Sequence, residues 1–177
     1  FNIKAVWDFI KSFAGKGKAD PKNEPKGTFD IVTGYFTIRA LDKLYREIPE
    51  EDTFRIISSE LVKEDTTTDH IIDLLQGDKG IDSTLNINEY ARHAKAFLER
   101  DNVQMKAIIN AFCHAKAYLF KNKNPKMQSF YLTGSSNLTD AGLGLKTSSN
   151  VELNMGTTFI LNDNNYKEVN SWFEDLC

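Results

Sequence analysis

Cysteine is nearly missing from this chain: Cys113 and Cys177 are the only two in 177 residues. Two thiols make no disulfide framework, and a reducing cytoplasm is the expected compartment. Long apolar runs are missing as well. None approaches the roughly 20 residues of a membrane-spanning helix, and no leader-peptide pattern opens the sequence, so no membrane partner is expected. An excess of positive charge is also lacking. The 22 Lys and Arg stand against 25 Asp and Glu, for a net charge of −3, which excludes a uniformly basic nucleic-acid coat. There is no G-x-x-x-x-G-K-[S/T] for a nucleotide, and Gly142-Leu-Gly144 lacks the strand-to-helix setting of a dinucleotide loop. Cys113 beside His114 suggests a metal pair. Strand alternation sends the two side chains to opposite faces, however, and no further ligand cluster joins them. No metal and no cofactor are expected. The first residue is Phe1 rather than Met, which suggests a piece trimmed or excised from a longer protein.

What is present is the balance of an ordinary globular domain, 41% hydrophobic and 27% charged, in a chain long enough for one sizeable core. Ile3, Val6, Trp7, Ile10 and Phe13 recur at helical spacing and predict an opening amphipathic helix. Residues 14–27, rich in Lys, Gly and Pro, read as a mobile loop. Phe29 to Phe36 reads as a strand, and Thr37 is placed to cap a helix through Leu41, Leu44 and Tyr45. A second strand is expected over Thr53 to Ser58, a connection over Glu60 to Asp69 and a short helix over Ile71 to Leu75. A longer helix carries Ile87, Tyr90, Ala91, Ala94, Phe97 and Leu98. The pattern from Val103 to Lys121 is β-rich. Residues 122–126 form a turn, and Ser129 to Ser135 is the returning strand. Thr139 to Gly144 is a short helix or turn, Val151 to Leu161 is strand-like, and Asp163 caps a final helix using Tyr166, Val169, Phe173 and Leu176. Strands alternating with helices, with one hairpin, predict an α/β fold with a mixed sheet in a single domain over 1–177.

Chemistry concentrates in Cys113-His-Ala-Lys-Ala-Tyr-Leu-Phe120, Thr133-Gly-Ser-Ser-Asn-Leu-Thr139 and Asn150-Val-Glu152. On a strand, His114, Lys116 and Tyr118 share one face, with about 6.6 Å between His114 and Lys116. Ser135 and Asn137 repeat that spacing at the end of the returning strand. If the hairpin pairs, both pairs point into one cavity. Phosphodiester cleavage uses these residue types. A neutral imidazole attacks phosphorus, and an ammonium neutralises the developing charge. A hydroxyl and an amide donate to the equatorial oxygens, and the short helix after Asn137 can add N–H groups. A carboxylate, for which Glu152 is the candidate, holds the imidazole tautomer. The scheme requires no metal. The surrounding stretch is also basic. From Ala94 to Lys126, seven cations (Lys95, Arg100, Lys106, Lys116, Lys121, Lys123 and Lys126) stand against Glu99 and Asp101. The bland reading is a solvated lysine-rich loop; overlap with the candidate site gives the stretch its interest.

H-x-K followed by G-S-x-N and a downstream Glu resembles the phospholipase D superfamily. His114-Ala-Lys-Ala-Tyr-Leu-Phe with Gly134-Ser-Ser-Asn-Leu-Thr-Asp-Ala-Gly-Leu143 is most similar to its nuclease-like branch, whose members often accompany DNA helicase or restriction modules. The likeness is sharp over 114–154 and loose over 28–177. It implies a phospholipase D-like core over 28–177, preceded by the helix and loop of 1–27. It also implies that His114 is the nucleophile or acid, that Lys116, Ser135 and Asn137 bind phosphate, and that Glu152 orients a histidine. The substrate expected is nucleic acid, DNA ahead of RNA, and a helicase domain in the same full-length chain is an expected partner. The Asp of the family pattern is replaced here by Lys121. The family site also uses two H-x-K motifs, whereas this chain has one. His93-Ala-Lys95 repeats the letters, but on a predicted helix residues two apart do not face the same way; His70-Ile-Ile does not match. A homodimer with one composite site is therefore expected. The competing reading is a catalytically silent DNA-binding or dimerisation module, with phospholipid hydrolysis last, since the chain lacks a second motif and a membrane-binding helix.

Overall fold

A computed structural model describes residues 6–14, 27–59, 84–108, 113–145, 152–160 and 164–176. The elements, in chain order, are α1 (Val6–Ala14), β1 (Gly27–Thr33), α2 (Ile38–Glu47), β2 (Thr53–Ser59), α3 (Thr84–Leu98), β3 (Val103–Ile108), β4 (Ala117–Asn122), β5 (Ser129–Gly134), α4 (Asp140–Leu143), β6 (Asn154–Phe159) and α5 (Asn164–Leu176). The strands form one sheet in the order β3-β2-β1-β4-β5-β6. β1, β2 and β3 run parallel. β4 enters antiparallel beside β1, and β5 and β6 continue antiparallel. The chain is thus α/β with an open mixed sheet, as its alternating pattern predicts.

Both faces of the sheet are covered. On one, Phe54, Phe29, Phe120 and Phe130 stand in register across four adjacent strands. Neighbouring ring centroids in this row are 5.8, 5.5 and 5.8 Å apart. Phe97 of α3 closes one end at 4.9 Å from Phe54. At the other end Phe9 and Phe13 of α1 each lie 5.1 Å from Phe130. Such rings bury large apolar areas and add tilted or edge contacts to that burial. Val6, Trp7, Ile10 and Ala14 are buried in the same core, so α1 is part of the body rather than an appendage to it.

The opposite face carries α5, where Phe173 packs with Val32, Ile57, Cys113 and Ala117. Buried Asp30 organises this layer. Its carboxylate takes two bonds from Arg55, at 2.6 and 2.8 Å, and lies 2.8 Å from Lys121 Nζ. Arg55 continues to Glu174 at 2.9 Å and lies over the Phe173 ring, while Lys121 donates to Asn170 at 3.3 Å. The paired charges satisfy one another in a site that would otherwise penalise each of them.

Several boundaries depart from the sequence reading. β1 begins at Gly27 and stops at Thr33, three residues short of Phe36, because the chain turns away to form an isolated bridge between Phe36 and Leu138. The β-rich stretch 103–121 is two strands, and His114 and Lys116 precede the β4 ladder in extended backbone. Thr37 caps α2 as expected, its hydroxyl accepting the Ala40 N–H. Of the loop expected over 14–27, Ala14 instead closes α1 and Gly27 opens β1; its residues 15–26, the connection over Glu60–Asp69, the helix over Ile71–Leu75 and the cap at Asp163 lie outside the described residues. Among the described residues no helix is long and apolar enough to cross a membrane.

Glu47 fastens α1 to α2. Lys11 and Lys43 lie 2.7 and 2.8 Å from its carboxylate, and the Trp7 indole donates at 3.3 Å. Burial pushes this carboxyl up, but the hydrogen bonds from Lys11, Lys43 and Trp7, with the charge of Lys43, outweigh it and bring the group down to about 2. A depressed carboxyl stabilises the fold above its unfolded value, and that contribution disappears as pH falls towards the folded value. We therefore expect Glu47→Gln to lower the unfolding free energy at pH 7 by about 2 kcal/mol. The difference from the parent should shrink between about pH 4.5 and 2 in urea titrations; a difference independent of pH would contradict it.

Candidate active site

The candidate residues gather at one end of the sheet, at the carboxyl ends of β1 and β5 and the entries to β4 and β6. Register brings them there. Ala117 pairs with Thr133, and Gly134 with Asn154, while the Gly134 N–H donates to Lys116 O at 3.3 Å. Ser135 N–H then donates to Leu153 O at 3.1 Å. The lead-in 113–116, the loop 135–137 and residues 152–153 therefore lie side by side. Gly134 is required at this crossing, since a Cβ there would sit 2.2 Å from Leu153 O and 2.6 Å from Asn154 Cα.

His114 is exposed and Lys116 is buried. The Lys116 ammonium donates to His114 O at 2.7 Å and lies 3.4 Å from His114 Nδ1. Alternation therefore works as expected: Cys113 and Ala117 enter the core under α5, while Tyr118 enters the aromatic core on the opposite face. Ser135 donates its hydroxyl proton to the Glu152 carboxylate and accepts the Leu153 N–H at 3.0 Å. Asn137 Oδ1 accepts the Gly34 N–H at 3.0 Å and the Thr33 hydroxyl at 3.3 Å. Lys116 thus accompanies His114, Ser135 accompanies Glu152, and Asn137 ties the G-S-x-N loop to the end of β1.

Tyr118 connects the two pairs. Its buried hydroxyl donates to Ser136 O at 3.0 Å, and burial, followed by the nearby charge of Glu152, pushes the phenol well above its ordinary range. A cation, a carboxylate, a hydroxyl and an imidazole then surround one short stretch of sheet edge. This is the donor set that binding a phosphate and moving protons around it would use.

In the short helix after Asn137 the Thr139 hydroxyl accepts the Gly142 N–H at 3.0 Å, and buried Asp140 stands in the first turn. The basic stretch is not one patch. The loop with Lys123 and Lys126 lies at the far end of the β4–β5 hairpin, about 20 Å of strand from Ala117. Lys121 serves Asp30, Lys95 faces Glu99 on α3, and Arg100 lies 4.7 Å over the Tyr45 ring. Of the seven cations, Lys116 is the one in the H-x-K lead-in beside His114.

His93 lies on α3 as expected, its Nδ1 2.6 Å from Asp42 and its ring stacked on Tyr45. That is a structural pairing between helices. His70 and Cys177 lie outside the described residues. Among the described residues no group of three or more His, Cys, Asp or Glu could hold a metal ion. Motif reading missed Ser136, whose buried hydroxyl accepts from Asn154 Nδ2 at 2.8 Å. It also missed Thr33, whose hydroxyl takes the Leu138 N–H at 3.0 Å. Ser136 sits inside the G-S-x-N motif and Thr33 at the end of β1, and each finds its partner far away in sequence.

The Asn137 contacts predict a structural role alongside any part in phosphate binding. Asn137→Ala strands the Gly34 N–H and should lower unfolding free energy by about 1–2 kcal/mol in phosphate-free buffer. Unchanged urea stability would show that these bonds contribute nothing. No family model matches the chain, and no curated protein matches it.

Proposed function

We propose that the protein is a metal-independent phosphodiesterase of phospholipase D type, a nuclease domain acting as a homodimer. The observation that carries this reading is the convergence of His114, Lys116, Ser135 and Glu152 at one sheet end, with Asn137 fixing the loop between them. The scheme needs two imidazoles, and the chain has one H-x-K outside a helix, leading into β4, so the second is the partner subunit's His114. Edge strand β6 suits such pairing. Leu153 and Met155, next to Glu152, are 84% and 77% exposed, an apolar surface that a second copy would cover.

In the first step the lone pair of neutral His114 attacks phosphorus and the bond to the leaving oxygen breaks, while the protonated imidazole of the mate gives that oxygen its proton. Lys116 and Ser135 offset charge on the equatorial oxygens. In the second step water attacks phosphorus, the phosphorus–nitrogen bond breaks, and the mate's imidazole takes the water's proton. Glu152 is close enough to accept from Ser135, and on a bound phosphate the carboxylate would trade that proton for the N–H of an imidazole.

A silent DNA-binding or dimerisation module is the second reading, favoured by the dispersal of the basic residues and by Lys121 in place of the pattern's Asp. The deciding experiment is cleavage of DNA and RNA oligonucleotides in excess EDTA, with acid-labile phosphohistidine trapped in parallel. Cleavage should persist in EDTA, fall by at least about 1,000-fold in His114→Ala, and belong to a dimer in sedimentation. A Mg²⁺ requirement, an active His114→Ala or an active monomer would overturn the proposal. Salt-dependent DNA binding without cleavage would select the silent module.

A further inference from the structure

β1 is shorter than its neighbours at the end where the site lies. Its last pairing with β4 is Val32 opposite Ala117. Beyond it, the Thr33 hydroxyl turns to Tyr35 O at 2.7 Å and the Gly34 N–H turns to Asn137. The H-x-K lead-in therefore loses its β1 neighbour just where His114 must be aimed. β2 runs on to Ser59, and the side chain of Ser59 spans the gap. Its hydroxyl accepts the Cys113 N–H at 2.7 Å and donates to Cys113 O at 3.3 Å.

One buried hydroxyl thus holds both backbone groups of the residue immediately before His114. Three residues on, Lys116 O is held by the Thr133 hydroxyl at 2.9 Å and by the Gly134 N–H at 3.3 Å. The Cys113 side chain is itself packed among Val32, Ile57, Ala117 and Phe173. His114 is exposed, but its backbone is stretched between two anchors, so the direction of its ring follows from theirs. From this geometry we infer that Ser59 is a positioning residue for His114, a role that rests on the phosphodiesterase reading. Ser59 touches no reacting atom. It sets the angle from which the imidazole meets phosphorus, and a displacement of about 1 Å in such a geometry lowers turnover by about 100-fold.

Ser59→Ala removes both bonds. Ser59→Thr and Ser59→Val form an isosteric pair that differs in the hydroxyl, so they separate hydrogen bonding from shape and replace the alanine variant should it not fold. Each is compared with the parent full chain in oligonucleotide cleavage and in the ring ¹H–¹³C NMR signals of His114. The Ala and Val variants should lose about 10- to 100-fold in kcat with KM within about twofold of the parent. Their His114 signals should shift or broaden, and the Thr variant should keep parental kcat and signals. Parental kcat and ring signals in the Val variant would overturn the inference, as would a Thr variant as impaired as Val. Should the parent itself cleave nothing, the phosphodiesterase reading falls, and the ring signals still decide whether Ser59 anchors His114.

Discussion

The antiparallel pairing of β4 against β1 is the constraint on which the rest of the molecule depends. It joins a parallel half, β1 to β3, to an antiparallel half, β4 to β6. Its register completes the row of four phenylalanines on one face. On the other face the same register brings Lys121 to Asp30. It also sets the end of β1 beside the start of β4, so that the β1 exit, the H-x-K lead-in and the G-S-x-N loop share one edge. A slip of one residue would exchange the faces of every side chain on β4, expelling Phe120 from the core and removing Lys116 from the edge together.

Much of this architecture is legible in the sequence because it is local. The Thr37 cap of α2, the period of α3 and the alternation around His114 each depend on residues within a turn or two. The helical setting of His93-Ala-Lys95, which separates it from the other H-x-K, is likewise a matter of period. Sheet order is not local. The pattern marks Phe29 to Phe36 as a strand and Val103 to Lys121 as β-rich, but does not show that the first pairs with the end of the second across about ninety residues. The basic stretch follows the same rule: its cations are close in sequence, but β4 carries Lys121, Lys123 and Lys126 away from the H-x-K lead-in.

The candidate site divides along the same line. His114, Lys116, Ser135, Asn137 and Glu152 stand out from motif spacing. The groups that fix them, Thr33, Ser59, Ser136 and Asn154, carry no spacing signal, because each meets its partner from a distant part of the chain. Ser59 and Cys113 are 54 positions apart, and Tyr118 and Ser136 are 18 apart. Short polar side chains at strand ends are ordinary in composition. They acquire meaning only where a strand stops early and leaves backbone groups to be satisfied.

Lys121 limits what its own position can tolerate. A carboxylate there would face buried Asp30 in place of the Lys121 ammonium, leaving Arg55 to balance both, and two like charges in one dry layer repel. A single Lys121→Asp change would thus destabilise this layer unless Asp30 or Arg55 changed with it. Lys121 on β4 and Asp30 on β1 are two halves of one matched pair, so a change at either position reaches across the sheet to the other.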